Sequence, residues 1–379
     1  MRTKISEMFN IEAPIFAFTH CRDVVVEASK AGGFGVLGAE TFNPKQLEIE
    51  LSWIDEHIGG RPYGVDVLMP RRFQKVERSG KPDIDQVFPK STREWLEDLL
   101  RKHNVPPLPQ EQSETLVRKS AARASQPPSD HAESLLEVAF RHPIKLMVSA
   151  LGPPPPHILE RAHGIRIKVG ALVGKVEHAI KQRDAGVDFV VATGTEAGGH
   201  TGYISTMVLV PQIVDAVAPL PVLAAGGIGR GRQIAAALAL GAEGVWCGSV
   251  WLTTRQSDLT PEMKERLLAA ESTDAILTKA YTGKNCRILR SEWTDAWDQP
   301  GAPKPLGFPL QPYLINESMK RIERYKAKEL MTYPAGQIIG QLHEEQTVRQ
   351  VFYDMLAELA DAAERLNCVI GETSKNPGA

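Results

Sequence analysis

Short apolar runs, each followed by a stretch of helical spacing, recur along most of the chain. Ile11–Phe18 reads as a first strand. Arg22–Ala31 then sets Val24, Val25 and Ala28 on one helical face and stops at Gly32-Gly33. Phe34–Ala39 is a second strand. Asn43–Ile58 has a helix start (Asn43, Pro44) and a Leu47, Leu51, Ile54, Ile58 stripe. Tyr63–Met69 is the third strand. The rhythm resumes with strands at Lys145–Ala150, Arg166–Val173, Val187–Thr193, Pro221–Ile228 and Glu243–Ser249. Between them come a turn of four prolines (Pro153 to Pro156) leading into a short helix, then helices near Lys175–Ala185, Val208–Val217 and Gly231–Leu240. A further helix begins near Thr260-Pro261. About eight such alternations predict a closed parallel (β/α)8 TIM barrel. An open doubly wound sheet is the alternative, with fewer units.

Two segments break the rhythm. Residues 71–142 are rich in charge, proline and serine, with helical spacing only near Thr92–His103 and Glu133–Arg141. They read as a long insertion after the third strand, too poor in apolar residues for a core of their own. Residues 271–379 form a C-terminal extension expected to pack on a barrel spanning 1–270. It has an irregular Trp- and Pro-rich stretch (Trp293, Trp297, Pro300, Pro303, Pro305) and an amphipathic helix near Thr347–Leu366. That helix is expected on the outside of the barrel or at a contact between copies in a homo-oligomer.

Composition narrows the class. The 379 residues are 42% hydrophobic, enough for a large core, and Lys plus Arg (44) nearly balance Asp plus Glu (46). That balance points away from nucleic acid and from anionic membrane surfaces. Cys21, Cys247, Cys286 and Cys368 form no Cys-x-x-Cys pair, so neither a zinc site nor a disulfide framework is expected. Without an apolar leader or a run long enough to span a bilayer, the protein is expected in the cytoplasm.

The candidate chemistry gathers at glycine-rich strand ends. Val187–Thr193 opens into Gly194-Thr-Glu-Ala-Gly-Gly-His-Thr-Gly202, where a histidine suited to proton transfer sits among residues that let backbone approach a ligand. A flexible turn with an incidental histidine is the plain alternative. Ala225-Gly226-Gly227-Ile228-Gly229 and Cys247-Gly248-Ser249 end the seventh and eighth strands, where barrels commonly hold phosphate on glycine amides and hydroxyls. Gly33-Phe-Gly35-Val-Leu-Gly38 matches the dinucleotide pattern Gly-x-Gly-x-x-Gly. It follows a helix and runs through a strand, the reverse of what that site needs. His20, Cys21, Lys168 and Arg71-Arg72 are weaker candidates.

Four features in this order resemble the nitronate monooxygenase family: Ala31-Gly-Gly-Phe-Gly35, Gly194–Gly202, Ala224-Ala-Gly-Gly-Ile228 and Gly248-Ser249. The second is the specific one, and FMN-dependent enoyl-thioester reductases share it. The resemblance implies an FMN barrel in which His200 takes the α-proton of a nitroalkane. The nitronate is then oxidised by flavin and O2 to a carbonyl compound and nitrite. It implies FMN contacts from Pro14, Ile15, Phe16 and Ala17, from Asp66, Thr193, Gly198, Gly199, Gly226 and Gly227, and from Trp246, Cys247, Gly248 and Ser249. It gives no metal. Asp66 stands where asparagine is usual, Thr193 and Trp246 where glutamine is usual, and Thr201 where arginine often follows the histidine. As a carboxylate, Asp66 would accept but not donate hydrogen bonds and would repel an anionic reduced flavin. Tyr281–Arg287 and Gly336-Gln337 are similar to family segments that approach the flavin. Two other activities fit the same features: an NAD(P)H-dependent enoyl- or acyl-thioester reductase, and a non-catalytic flavin-binding barrel.

Overall fold

The computed structural model describes residues 1–69, 84–124 and 127–371. Its strands are β1 (Ile15–Thr19), β2 (Phe34–Gly38), β3 (Tyr63–Leu68), β4 (Leu146–Ala150), β5 (Lys168–Val173), β6 (Phe189–Thr193), β7 (Gly199–His200), β8 (Val222–Ala225), β9 (Gly244–Cys247), β10 (Ala275–Thr278) and β11 (Cys286–Leu289). All but β7, β10 and β11 close into a parallel barrel, with β9 pairing back onto β1 at Phe16 and Trp246. This is the expected TIM barrel.

The helices are α1 (Lys4–Phe9), α2 (Arg22–Lys30), α3 (Pro44–His57), α4 (Ile84–Val87), α5 (Lys90–Lys102), α6 (Gln110–Ala124), α7 (Pro128–Ala139), α8 (Pro156–Gly164), α9 (Val176–Ala185), α10 (Thr206–Val217), α11 (Gly231–Ala239), α12 (Pro261–Leu268), α13 (Glu292–Trp297), α14 (Leu310–Arg324) and α15 (Val348–Gly371).

Strand alternation sorts side chains between two cores. Ile15, Ala17, Tyr63, Val65 and Val67 face the helices. Phe16, Phe34, Leu146, Phe189, Val191, Leu223 and Trp246 fill the bore. Helix α1 stoppers the base, its Phe9 ring standing edge-on to Phe34 (4.7 Å) and Phe16 (5.5 Å). A ligand is left with the carboxyl ends of the strands. The glycines of β2 serve packing, as the backbone of Val25 occupies the space a side chain at Gly35 would need.

The insertion is more helical than its composition suggests, carrying α4, α5 and α6 before α7, which packs on β3 and α3. Phe88, Leu96, Leu100 and Ala121 share one apolar cluster with Met263 of α12 and with Trp293, Leu310 and Leu314 of the C-terminal extension. Taken alone the segment lacks a core; the missing half lies far downstream, from Met263 onward. Helix α15 lies against α11 and α2, in the eighth helical position of the ring. Its Phe352 stacks on Trp251 at 5.3 Å.

Candidate active site

A cavity of about 1950 Å³ covers the carboxyl ends of the barrel strands, between the bore and the overhanging insertion and extension. Phe18, Leu172 and Trp246 form much of its floor, Phe18 and Trp246 stacking at 5.8 Å. Asp66 and Thr193 set polar groups into that floor. Thr193 Oγ1 donates to the Val191 carbonyl (3.3 Å). Burial, and secondarily the like charge of Glu40, push the Asp66 carboxyl well above the usual carboxylate range.

The turns after β8 and β9 open onto the same space. Gly226 (φ 110°) and Gly227 (φ 69°) adopt the left-handed region that glycine permits. Among the described residues, the amides of Gly226, Gly227, Gly248 and Ser249 have no acceptor within the protein. Ser249 Oγ accepts from the Gly336 amide (2.7 Å) and keeps its own proton to donate. Cys247 lies beneath, its thiol pushed up to about 12 by burial. Four unclaimed donors and a hydroxyl at adjacent strand ends suit a phosphate.

The Gly194–Gly202 segment is far from a slack turn. Glu196 receives the Thr206 amide (3.0 Å) and hydroxyl (2.8 Å) at the start of α10. Thr201 Oγ1 donates to the Gly194 carbonyl (2.7 Å). Gly199 and His200 pair as β7 with Arg287 and Cys286 of β11, in a three-stranded antiparallel sheet with β10. The buried Arg287 donates from Nε to the Thr195 carbonyl (2.7 Å), and another of its nitrogens reaches the Ala275 carbonyl. Gly198 is a point of close approach: a Cβ there would lie 2.7 Å from the Gly336 nitrogen.

This scaffold presents His200. Its Nε2 lies 3.0 Å from Thr282 Oγ1, and its ring stands edge-on to Phe308 at 5.7 Å. Lys284 Nζ sits 4.8 Å from the centre of the same Phe308 ring. Burial, with the positive charge of Lys284 second, pushes the imidazole down to about 4. At neutral pH it is an uncharged base beside a cation.

Asp66, Thr193, Gly198, Gly199, His200, Gly226, Gly227, Trp246, Cys247, Gly248 and Ser249 all line the cavity. Pro14, Ile15, Phe16 and Ala17 do not, and this corrects the expectation for the first strand. Pro14 precedes β1 and its carbonyl receives Val245, Ile15 and Ala17 face the helices, and Phe16 is sealed in the bore. Phe18, Thr19 and His20 meet the cavity instead. His20 bonds the Gly38 carbonyl through Nδ1 (3.0 Å), whereas Cys21 turns away to the Gln256 carbonyl (3.0 Å). Lys168 begins β5 at the far end of the barrel, paired with Asp188 at 2.8 Å. Arg71 and Arg72 lie outside the described residues. Thr282, Lys284, Phe308 and Tyr333 join the lining from the extension. Thr282 and Lys284 fall in the family-like Tyr281–Arg287 stretch, whereas Phe308 and Tyr333 carry no such signal in the sequence.

The chain has relatives among known proteins. The family model described as nitronate monooxygenase matches residues 1–358. A putative monooxygenase, Rv1533, of Mycobacterium tuberculosis (strain ATCC 25618 / H37Rv) is 50% identical over 378 residues, 98% of this chain and 100% of that protein. The structure of FabK from Thermotoga maritima superposes with a TM-score of 0.73 at 25% identity, covering 97% of this chain and 99% of the other. A nitroalkane oxidase from Streptomyces ansochromogenes shares the fold, with a TM-score of 0.76 at 24% identity over 95% and 99% of the two chains. The chain belongs to the nitronate monooxygenase family and is an oxidoreductase of that type.

Proposed function

We propose that this member of the nitronate monooxygenase family binds FMN across the barrel mouth. With O2 it converts alkyl nitronates, or the nitroalkanes that give rise to them, to a carbonyl compound and nitrite. One observation carries the reading: an uncharged, half-buried His200 shares a cavity with two phosphate-type turns. The residues present suit the cofactor. The unclaimed amides of Gly226, Gly227, Gly248 and Ser249 suit its phosphate, and the apolar floor with the Asp66 edge suits a flat heteroaromatic ring. When bound, FMN supplies the electron acceptance that no side chain here provides.

The chain's own part is acid–base and electrostatic. His200 accepts the α-proton of a neutral nitroalkane, and the C–H electron pair passes onto the nitro group to leave the nitronate anion. The neighbouring Lys284 ammonium stabilises that anion. A substrate supplied already as the nitronate bypasses the proton step. His200→Ala therefore abolishes nitroalkane turnover but spares most nitronate turnover. Protein that is colourless and takes up no added FMN overturns the reading.

A second activity, reduction of an acyl thioester by NAD(P)H, is favoured by the cavity's volume. About 1950 Å³ exceeds the roughly 300–1,000 Å³ of an ordinary ligand pocket. Anaerobic mixing separates the two. Rapid bleaching of the flavin band by NADPH supports the reductase, and bleaching only by propionate 3-nitronate supports the monooxygenase.

A further inference from the structure

Asp66 occupies an unusual place for an acid. Strand alternation turns it into the bore beside Gly38 of β2 and Val148 of β4, at the level where the floor meets the cavity. It is 2% exposed, and among the described residues no hydrogen bond or ion pair reaches its carboxyl. The surrounding charges offer no relief. Glu40, after β2, has the same sign and faces His20 Nε2 at 3.4 Å. His131 of α7 is turned to the Glu40 and Phe42 backbone and held uncharged, by burial first and by the positive charge of Arg123 of α6 second. From β4, Val148, Ser149 and Ala150 bring nothing that titrates. A carboxylate in this position would be desolvated without a counter-charge.

We propose that Asp66 works as a neutral carboxylic acid, its O–H and C=O together pairing with the imide edge of a flavin ring on the cavity floor. The pairing rests on the FMN reading above. A flavin imide presents carbonyl, N–H and carbonyl in sequence. A protonated carboxyl offers one donor and one acceptor side by side, as a primary amide does. It meets the N–H and one carbonyl at once. A carboxylate would meet the N–H alone and set its charge against both carbonyls. As an acid Asp66 adds no charge beside the reduced ring, so the repulsion expected from its sequence identity disappears.

Two measurements test this. The infrared difference between wild type and Asp66→Asn at neutral pH is expected to show a protonated-carboxyl band lost in the variant. Carboxylate bands in its place overturn the proposal, with or without flavin. FMN affinity, followed by flavin fluorescence between about pH 6 and 10, is expected to weaken in the wild type by about tenfold per pH unit once the acid ionises. Asp66→Asn stays level and within about threefold of wild type at neutral pH, and Asp66→Leu loses FMN throughout. A wild-type profile that Asp66→Asn copies refutes the pairing while leaving FMN binding intact. Failure of wild type and Asp66→Asn alike to take up FMN refutes the cofactor reading and the pairing with it.

Discussion

The sharpest prediction concerns the acid side of the pH–rate profile. His200 falls from the ordinary 6.5 to about 4, because burial penalises the imidazolium and Lys284 repels it. At about pH 6 an ordinary histidine is roughly three-quarters protonated, whereas His200 carries a proton in about one molecule in a hundred. Turnover of a neutral nitroalkane needs the free base. Its kcat/KM is therefore expected to be as high at about pH 6 as at pH 8 and to fall only near pH 4–5. The assay is initial-rate nitrite release from nitroethane across that range, with the nitronate as a control that skips the proton step. Lys284→Met, which removes the smaller cause, moves the acid limb upward without returning it to 6.5. The same depression appears in stability. A histidine whose folded value lies below its unfolded one contributes stability that is present above 6.5 and lost as pH falls towards 4. The full loss is about 3 kcal/mol for His200. His131, also held at about 4, adds a second loss that His200→Gln leaves in place. A wild-type acid limb at 6 or above refutes the argument, because it would mean the imidazole is neither desolvated nor beside a cation.

Three further outcomes follow from geometry. Gly198→Ala sets a methyl 2.7 Å from the Gly336 nitrogen; about 1–3 kcal/mol of stability and at least tenfold in turnover should go, measured by thermal melting and nitrite release. Ser249→Ala removes the hydroxyl proposed to donate to the phosphate and strands the Gly336 amide; FMN should bind roughly tenfold more weakly or worse by fluorescence titration. Phe352→Ala, at a ring 1% exposed and stacked on Trp251, should cost about 3–5 kcal/mol in denaturant unfolding without altering the flavin spectrum.

The barrel was legible because each strand–helix unit carries its own period, and a buried strand such as Phe189–Thr193 announces itself within a few residues. Glycine turns were legible for a related reason: backbone geometry is written locally. Pairings across long separations were not. Nothing near His200 says that it joins a sheet with Cys286, or that Thr282 will reach its ring. The insertion looked coreless because its apolar partners, Met263 and Leu310 among them, belong to another part of the chain. Pro14–Ala17 were set too early on the first strand: β1 starts only at Ile15, so the cavity meets Phe18 and the residues after it. The state of Asp66 is open in the sequence, which names an ionisable group and leaves its protonation to the surroundings. Burial in the bore decides that state.

The position of α15 bears on how the molecule is made. The eight barrel strands are all synthesised once Cys247 leaves the ribosome, yet the helix that completes their ring begins about 100 residues later, at Val348. At a translation rate of roughly 5–20 residues per second, that interval lasts about 5–20 s. Through it, a nascent chain presents the bare flanks of α2 and α11 and an uncovered Trp251. A chain stalled or cut before Val348 would thus keep an adhesive seam that chaperones and proteases recognise. Docking of α15 against α11 and α2 removes that seam from the surface.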